Sequence, residues 1–454
     1  MRLDTRWKGK RVLVLGLARS GTEAAKLLLQ LGAEVTVNDQ GEETESASRL
    51  REMGADVICG SHPESLVHES VDALIKNPGI RYDHPLVEKA QALQIPVLTE
   101  IQPAWDASDS HAIAVTGSNG KTTTTTLIWE MLKNSALTPK LAGNIGFPAS
   151  EVVRSSGTTD ALVMELSSFQ LMGTDTFHPG TAVLLNLMDA HLDYHGTREA
   201  YHDAKAEIFR RQTENDLLIY NLDDDDVVQL TRNASGRKAA FSLKKEVPEG
   251  ADLRQDGLYV KGEKLISREE FALPGEYNIA NALAAALAAV ENGADMERIR
   301  HVLKTFSGVE HRLQEVGEWE GRTFYNNSKA TNSAAAITSL EAFDDPVVWI
   351  CGGLDRGQSF DELIPYMKRV KAVAAYGETK EKLAEMARRA GVQTVSVNET
   401  LPKAVEKAVA ASTAGDVILL SPACASWDQF KTFEERGALF VETVQQWIER
   451  RDAE

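Results

Sequence analysis

The chain has 454 residues, of which 43% are hydrophobic and 26% charged, a composition that excludes collagen-like and low-complexity proteins. Its net charge of −18 argues against nonspecific binding to nucleic acid or to an anionic membrane. The three widely spaced cysteines cannot form a disulfide framework or a four-cysteine metal site, which favours a reducing compartment. The sequence has neither an apolar run of the roughly 18 residues that a membrane span needs nor a signal-peptide core at its start. These features predict a cytoplasmic protein without a membrane span.

Short apolar runs alternate with helical patterns almost throughout, which predicts an α/β protein with mainly parallel sheets. The first series begins with a strand at residues 11–15 and an amphipathic helix at residues 21–31, which Gly32 ends. Its later strands are predicted at residues 34–37, 57–58, 73–75 and 96–98. Residues 102–110 follow neither the helical nor the strand pattern of hydrophobic residues and are interpreted as a linker. This places the first domain boundary near residue 106.

Two further series follow, so that the predicted domains are residues 1–106, 107–309 and 310–454, in line with about 150 residues per domain. The strands of the second series are predicted at residues 112–115, 161–164, 182–185 and 217–220. This series continues with irregular β structure over residues 236–272 and an Ala-rich helix from residue 278 to about residue 292. The strands of the third series are predicted at residues 347–350, 372–375, 394–397 and 417–420.

The strongest motif is Thr-Gly-Ser-Asn-Gly-Lys-Thr-Thr at residues 116–123, between a predicted strand and a predicted helix. In this context a glycine-rich turn directs backbone amides at a phosphate, at a helix N-terminus whose dipole favours anions. Lys121 adds a cation near the β- and γ-phosphates, and the hydroxyl of Thr122 could bind Mg²⁺. The common phosphate-loop motif has the form G-x-x-x-x-G-K-[ST], and Val115 stands in place of its first glycine. A chance glycine-rich turn is the alternative, and the flanking strand and helix favour ATP binding.

Acidic and histidine residues follow the next strands of this series. Glu165 comes where an apolar run ends, which is a usual place for an acid that reaches the metal ion of a nucleotide. A carboxylate that caps the next turn is the alternative, and the nearby phosphate loop favours the metal role. Residues 186–209 contain three histidines and several aspartates, but no H-E-x-x-H pattern and no cysteine, which disfavours zinc. His191 is the better candidate for a Mg²⁺ ligand, whereas Lys205 by itself is typical of a solvated helix surface.

The turn Gly-Leu-Ala-Arg-Ser-Gly at residues 16–21 follows the first predicted strand and approaches a dinucleotide-binding fingerprint. Ala18 replaces the middle glycine that lets the backbone meet a pyrophosphate, so the pattern favours a nucleotide diphosphate over NAD. A second loop after another strand would lie along the same edge of the sheet. The candidate residues of this nucleotide site are Gly16, Leu17, Ala18, Arg19, Ser20, Asp39, Asn77 and Gly79.

Three segments of the last series, residues 325–332, 352–357 and 421–430, each follow a strand and should line one edge of its sheet. They supply two cations and two hydroxyls, which suit carboxylates better than an amine-tipped ligand. These side chains are Lys329, Arg356, Thr331 and Ser426. Cys424 could be a nucleophile, but no histidine follows it in the chain, which favours a packed thiol.

Together these motifs resemble those of the Mur ligases, the ATP-dependent ligases of peptidoglycan synthesis, along essentially the whole chain. Within that family they are most similar to the members that join D-glutamate to UDP-N-acetylmuramoyl-L-alanine. The resemblance implies a Rossmann-like N-terminal domain, a central P-loop ATPase-like domain and a Rossmann-like C-terminal domain. It also implies ATP and two Mg²⁺ ions, small-molecule substrates, no nucleic-acid partner and a monomer.

The resemblance further assigns roles to individual residues. The ATP-binding residues would be Gly117, Ser118, Asn119, Gly120, Lys121, Thr122, Thr123, Asn278, Asn281, Arg312, Asn327 and Lys329. The metal ligands would be Thr122, Glu165, His191 and Lys205, the last as a carbamate. Asn144 would contact the UDP-linked substrate, and D-glutamate would meet Lys329, Thr331, Arg356, Ser426 and Phe433. The catalytic residues would be Lys121, His191, Lys205 and Arg312.

The chain departs from the family pattern at two positions. Asn327 stands where other members often carry an aspartate for the ribose of ATP, and Arg356 stands where some carry lysine. The arginine fork can bind a carboxylate through two hydrogen bonds, so that role is preserved.

Four alternatives remain open at this point. A related ligase that adds L-alanine or a diamino acid, or a folylpolyglutamate synthase, would share the ATP loop, although a basic substrate would require an acidic pocket. An NAD-dependent dehydrogenase is suggested only by residues 11–39. A nonenzymatic nucleotide switch would need the same loop without the ligation chemistry.

Overall fold

The computed structural model describes residues 1–3, 5–188 and 190–452, and the strands in these ranges form three sheets. The chain divides into two compact units. The N-terminal unit comprises Met1–Phe271 and Tyr277–Thr305, and the C-terminal unit comprises Ala272–Glu276 and Phe306–Glu454.

The first sheet has the strand order β3-β2-β1-β4-β5, and its neighbouring strands pair in parallel. These strands are β1 (Arg11–Leu15), β2 (Glu34–Asp39), β3 (Asp56–Cys59), β4 (Ala73–Lys76) and β5 (Val97–Leu98). The helices of this part are α1 (Arg19–Gln30), α2 (Glu45–Glu52), α3 (Pro85–Ala92) and α4 (Ile101–Ala107), with a 3-10 helix at Glu64–Leu66. Because the chain order reverses between β1 and β4, the loops after these strands flank the crevice in which α/β sheets bind ligands.

The second sheet has the order β14-β13-β12-β11-β10-β9-β6-β8-β7 and is parallel from β7 to β12, with an antiparallel meander at its other edge. Its strands are β6 (His111–Thr116), β7 (Thr138–Gly143), β8 (Asp160–Glu165), β9 (Thr181–Leu184), β10 (Leu217–Asn221), β11 (Arg237–Ser242), β12 (Ala251–Arg254), β13 (Gly257–Val260) and β14 (Glu263–Ile266). The helices are α5 (Lys121–Leu132), α6 (Ala149–Val152), α7 (Ser168–Leu171), α8 (Leu192–His195), α9 (Arg198–Ala206), α10 (Asp225–Leu230), α11 (Glu276–Glu291) and α12 (Met296–Thr305), with a 3-10 helix at Val153–Ser155. The carboxyl ends of β9, β6 and β8 are therefore neighbours.

The third sheet lies in the C-terminal unit and has the order β15-β16-β20-β17-β18-β19, parallel apart from the β15–β16 pair. Its strands are β15 (Gln314–Trp319), β16 (Arg322–Asn326), β17 (Val347–Gly352), β18 (Val370–Tyr376), β19 (Thr394–Asn398) and β20 (Val417–Leu420). The helices are α13 (Ser333–Leu340), α14 (Lys380–Arg389), α15 (Leu401–Ala411) and α16 (Phe433–Asp452), with a 3-10 helix at Asp361–Arg369. The loops after β16, β20 and β17 thus leave neighbouring strands at one edge.

Burial explains why the strands read as continuous apolar runs. In β17, Trp349 packs into the core on one face of the sheet and Ile350 into the core on the other, because successive side chains of a strand alternate. In the N-terminal unit one hydrophobic core runs from the first sheet, for example Val14, into the second, for example Ala114. This shared core joins the first two sheets in one compact unit.

The predicted strands are confirmed to within two residues at each end, and so is the Ala-rich helix, which spans Glu276–Glu291. The linker predicted at residues 102–110 is wrong, because Ile101–Ala107 form α4. Pro103 lies in the first turn of that helix, where a backbone N–H has no helical acceptor to lose. The two predicted boundaries between the three domains, after residues 106 and 309, stay predictions.

β16 was predicted only as a strand before the loop at residues 325–332, without bounds. Two strands, β7 and β15, were not predicted from the sequence at all. Both lie at sheet edges, where Pro139 in β7 and a bulge near Gly317 in β15 are tolerated but obscure the alternating pattern. None of the helices in the described part of the chain is both long enough and apolar enough to cross a membrane.

Candidate active site

The phosphate-loop candidate connects β6 to α5 at the middle of the second sheet. Gly120 is the N-cap of α5 with φ +82°, and Gly117 has φ +154°. A Cβ at Gly120 would overlap with Oδ1 of Asn281, and one at Gly117 would lie 2.9 Å from Cβ of Leu185. The loop therefore requires glycine at both positions, because both the backbone conformation and the space exclude a side chain.

A neighbouring loop braces this turn. Asn186, just after β9, accepts a hydrogen bond from the backbone N–H of Asn119 (2.9 Å) and donates one to its carbonyl (3.1 Å). The hydroxyl of Tyr201 on α9 donates to Oγ of Ser118 (3.1 Å). Sequence reasoning missed both residues. Asn186 had the same signal as Glu165, a polar side chain after an apolar strand, whereas Tyr201 had none.

Two lysines donate hydrogen bonds to the carbonyl of Gly117, the first glycine of the loop. Nζ of Lys121 donates to the carbonyls of Gly117 and Ser118, both at 2.8 Å, and Nζ of Lys205 donates to that of Gly117 at 2.8 Å. Lys205 is 1% exposed, so the solvated position expected from its helix pattern alone is wrong. Burial first, and the charge of Lys121 second, lower the pKa of Lys205 well below its ordinary value.

A buried carboxylate faces the start of α5. Glu165, at the end of β8, is 1% exposed. Its Oε2 accepts a hydrogen bond from the hydroxyl of Thr122 (2.6 Å), and its Oε1 accepts one from the side-chain amide of Asn144 (2.7 Å). Carboxylate and hydroxyl oxygens are ligands that Mg²⁺ prefers. The predicted pair Thr122 and Glu165 therefore fits that ion, and Asn144 links the pair to the loop predicted to contact the UDP-linked substrate.

His191 lies at the N-terminus of α8 in the left-handed region (φ +55°), and its side chain is exposed. Its ring packs edge-on against Phe169, with ring centroids 5.0 Å apart. Within the described ranges, no group of three or more histidine, cysteine, aspartate or glutamate side chains could hold a metal ion. Asp189, one of the aspartates considered for zinc, lies outside the described residues.

The asparagines predicted to bind ATP are on α11 and are buried, at 5% exposure for Asn278 and 4% for Asn281. The side-chain amide of Asn281 donates to Oδ1 of Asn278 (3.4 Å). Because Asn281 also abuts Gly120, the structure brings this predicted pair directly onto the phosphate loop. The predicted ATP-binding residue Thr123 is the third residue of α5 and is half-buried.

The nucleotide-site candidates of the first sheet also converge. Oγ of Ser20 donates to Oδ1 of Asn77 (2.5 Å), and a Cβ at Gly16 would collide with that asparagine. The carboxylate of Asp39 accepts hydrogen bonds from the backbone of Leu17 (2.6 Å) and Gly41 (2.7 Å). These contacts place the two loops side by side at the crevice between β1 and β4.

The remaining nucleotide-site candidates of the first sheet lie at the rim of the loops after β1 and β4. Ala18 is the N-cap of α1, and the next residue, Arg19, lies over the ring of Phe147 at 4.5 Å and donates to the carbonyl of Gly146 (3.2 Å). Gly79 is exposed, with open space where a Cβ would be. The predicted nucleotide loop is thus tied to the segment that follows Asn144.

In the C-terminal unit, the predicted residues gather at the edge formed by the loops after β16, β17 and β20. Nζ of Lys329 lies 3.8 Å above the ring centre of Phe433, the first residue of α16. The backbone N–H of Lys329 donates to the carbonyl of His311 (3.0 Å), which connects this loop to the segment that contains Arg312. Oδ1 of Asn327 accepts from the backbone of Leu313 (3.3 Å). Asn327 and Lys329 therefore lie against the stretch that contains Arg312.

The other amino-acid candidates line the same edge. Arg356 is exposed and lies over the ring of Trp427 at 4.9 Å, whereas Ser426 is 2% exposed. Thr331 is half-buried, two residues after Lys329. Cys424 is fully buried, and burial raises the pKa of its thiol to about 11, which confirms the packed-thiol interpretation.

Sequence reasoning missed a buried cation beneath this edge. Arg436 on α16 is 0% exposed and donates to Oγ of Ser328 (2.9 Å), to the carbonyl of Ser328 (2.8 Å) and to the carbonyl of Cys424 (3.0 Å). It therefore joins the loops that carry Lys329 and Ser426. No local pattern distinguishes this arginine from the exposed charges of the same helix.

Curated proteins match the chain over nearly its whole length. The "UDP-N-acetylmuramoylalanine–D-glutamate ligase" of Geobacillus kaustophilus is 52% identical over 96% of this chain and 98% of its own. That of Bacillus thuringiensis is 49% identical over 99% of this chain and 100% of its own. This chain belongs to the Mur ligase family. Family profiles agree, with the "Mur ligase MurD-like, N-terminal domain" at residues 10–99, the "Mur ligase middle domain" at 115–289 and the "Mur ligase, glutamate ligase domain" at 311–424.

Solved Mur ligase structures share the fold at low identity. The UDP-N-acetylmuramate-alanine ligase MurC from Thermotoga maritima has a TM-score of 0.59 at 20% identity and covers 96% of this chain and 99% of its own. MurF from Acinetobacter baumannii has a TM-score of 0.55 at 18% identity, over 96% of this chain and 94% of its own. The three α/β domains expected of a Mur ligase are confirmed.

Proposed function

We propose that this Mur ligase joins D-glutamate to UDP-N-acetylmuramoyl-L-alanine with the conversion of ATP to ADP and phosphate, a step in the synthesis of peptidoglycan precursors. The observation that carries the proposal is the 52% identity, over 96% of the chain, to a ligase with this substrate pair in its name. The relatives disfavour the dehydrogenase and the nonenzymatic switch. Action in the cytoplasm, as a monomer, belongs to the same proposal, and sedimentation of the purified protein tests the monomer.

The reaction has two steps. An oxygen of the L-alanine carboxylate attacks the γ-phosphorus of ATP, the bond to ADP breaks, and an acyl phosphate forms. The amine of D-glutamate then attacks the acyl carbon, the nitrogen loses a proton, and phosphate leaves with the electron pair of the broken C–O bond. The first step brings a carboxylate to a polyphosphate, so cations must offset the repulsion between like charges.

In the N-terminal unit, the amides of residues 117–121 bind the phosphates, and Lys121 exchanges its loop carbonyls for phosphate oxygens. The buried pair Asn278 and Asn281 borders the loop on the side proposed for adenine. Thr122, Glu165 and His191 would hold Mg²⁺, which when bound supplies positive charge to the phosphates. We also assign a γ-phosphate contact to Arg312 and a ribose contact to Asn327.

Lys205 would complete the metal ligands as a carbamate, formed when its neutral amine adds to CO₂ and loses a proton. Two observations support this: the Nζ atom lies on the phosphate loop at Gly117, and the side chain is buried next to a second cation. The carbamate would bring two oxygens to a place where a second ammonium is unfavourable. Two bound Mg²⁺ ions are part of this proposal.

The amino-acid site supports D-glutamate over a diamino acid. Lys329 and Arg356 supply two cations for the two carboxylates of the substrate, and Thr331 and Ser426 add hydroxyls at the same edge. Phe433 places its ring under the ammonium of Lys329 (3.8 Å) and so orients it. A basic side chain would meet like charges here.

The experiment that tests the function is ADP release by the purified protein with each substrate omitted in turn. We expect release only when UDP-N-acetylmuramoyl-L-alanine and D-glutamate are both present. Turnover with L-lysine or diaminopimelate in place of D-glutamate would overturn the assignment.

A further inference from the structure

Lys76 is the last residue of β4, directly before the loop that carries Asn77 and Gly79, and its side chain is buried at 1% exposure. Its Nζ donates to the carbonyl of Ile80 (2.9 Å), to the hydroxyl of Tyr194 (3.2 Å) and, at 3.4 Å, to the carbonyl of Pro78. The ammonium also lies 4.6 Å from the ring centre of Tyr82. It is thus enclosed by neutral oxygens and aromatic rings.

Stability does not account for this lysine. Within the described residues, the hydrogen-bond partners of Lys76 Nζ are two carbonyls and a hydroxyl with no carboxylate, and burial lowers its pKa from 10.5 to about 8. A buried cation without a counter-ion destabilises the folded state, and an apolar side chain of similar length is often neutral or stabilising in its place. The position is therefore expected to have a role besides packing.

The contacts of Lys76 join two segments of the N-terminal unit. The first is the loop of residues 77–80, in which Asn77 is tied to Ser20 of the neighbouring nucleotide loop. The second is α8, which begins directly after His191 and whose Tyr194 itself donates to the carbonyl of Ile80 (3.0 Å). We propose that Lys76 is a positioning residue, which fixes the loop of residues 77–80 against α8 and so sets the geometry in which the UDP-linked substrate binds. This inference rests on the proposed function, since that function names the ligand of the loop.

Among the described groups around it, Lys76 is the one whose pKa lies near 8. Burial raises the pKa of Tyr194 to about 12 and also raises that of Tyr82, so both phenols stay protonated there. Arg81 lies over the ring of Tyr194 (5.5 Å) and is paired with Asp83 at 3.0 Å. Because the folded state binds the Lys76 proton less tightly than the unfolded chain does, this group adds stability as the pH rises from about 8 to 10.5. Over the same pH range Lys76 loses its proton, so the contacts made by its ammonium form are lost.

The test is Lys76→Met, compared with Lys89→Met as a matched control on α3. Lys89 also donates to a backbone carbonyl, that of Glu64 (2.7 Å), but does not bridge the two segments. We expect Lys76→Met to weaken binding of UDP-N-acetylmuramoyl-L-alanine, measured by calorimetry, by about tenfold, which is the usual effect of losing a charged hydrogen bond. Its KM for ATP and for D-glutamate should stay within about twofold, and its unfolding midpoint should be unchanged or higher. Tyr194→Phe should weaken the same binding by less.

A pH series separates positioning from packing. In the wild type, binding of the nucleotide substrate should weaken between pH 7 and pH 9.5, while the unfolding midpoint rises relative to that of Lys76→Met. Lys76→Met should show no such loss of binding. The inference would be overturned if Lys76→Met bound the nucleotide substrate with wild-type affinity. It would also be overturned if the variant lost affinity equally for all three substrates and had a lower unfolding midpoint. If the wild type released no ADP with D-glutamate, the proposed function would fail, and binding of UDP alone by the two variants would still test Lys76.

Discussion

Gly120→Ala adds a methyl group at the N-cap of α5, where φ is +82° and the new Cβ would overlap with Oδ1 of Asn281. The substitution therefore has two effects: strain in the backbone and displacement of a buried amide. Gly293 offers a matched control, because its φ is +83° and no atom lies within 4 Å of the corresponding Cβ. Gly293→Ala has the strain alone.

The two effects have different magnitudes. An alanine in the left-handed region costs about 1–2 kcal/mol, and this is the whole expected loss for Gly293→Ala. At residue 120 the amide of Asn281 must also move away from Asn278, and a buried polar group left unsatisfied costs a further ~1–3 kcal/mol. We expect Gly120→Ala to be destabilised by about 2–5 kcal/mol and to bind ATP at least about tenfold more weakly.

Urea unfolding and calorimetric titration with Mg²⁺-ATP measure both quantities on the same preparations. Gly293→Ala should show a lower unfolding midpoint with the ATP affinity of the wild type. The reasoning is refuted if Gly120→Ala binds ATP as the wild type does, or if the two variants lose ATP affinity equally.

Three further predictions concern the charged groups beside the predicted ATP and D-glutamate sites. Glu165→Gln keeps the size of the side chain but removes the negative charge that faces the hydroxyl of Thr122, so Mg²⁺-dependent turnover should fall by about 10²–10³-fold. An unchanged Mg²⁺ titration would contradict the ligand role. Lys205→Ala should lose turnover to a similar extent and recover part of it with short carboxylic acids such as acetate, whereas no recovery would count against a carbamate. Arg436→Met should raise the KM for D-glutamate by about tenfold and leave that for UDP-N-acetylmuramoyl-L-alanine unchanged, because the loops after β16 and β20 lose their shared donor. Equal changes in both KM values would indicate general unfolding.

The sequence by itself determined the features that depend on neighbours along the chain. Strand positions follow from runs of apolar residues, and the phosphate loop follows from two glycines between a strand and a helix. Glu165 was found in the same way, because the end of a buried strand faces the edge of a parallel sheet. Such short-range patterns also identified the polar loops of the third sheet.

Only the tertiary structure decided the contacts between residues distant in sequence. Lys205 has the local pattern of a solvated helix residue, yet packing of α9 buries its ammonium on Gly117, 88 residues away. Arg436 and Lys76 likewise gain their surroundings from loops that arrive from elsewhere in the chain. Burial of a cation depends on which elements cover it, and no periodicity along one helix or strand contains that information. For the same reason, the edge strands β7 and β15 became visible only through their partners in the sheet.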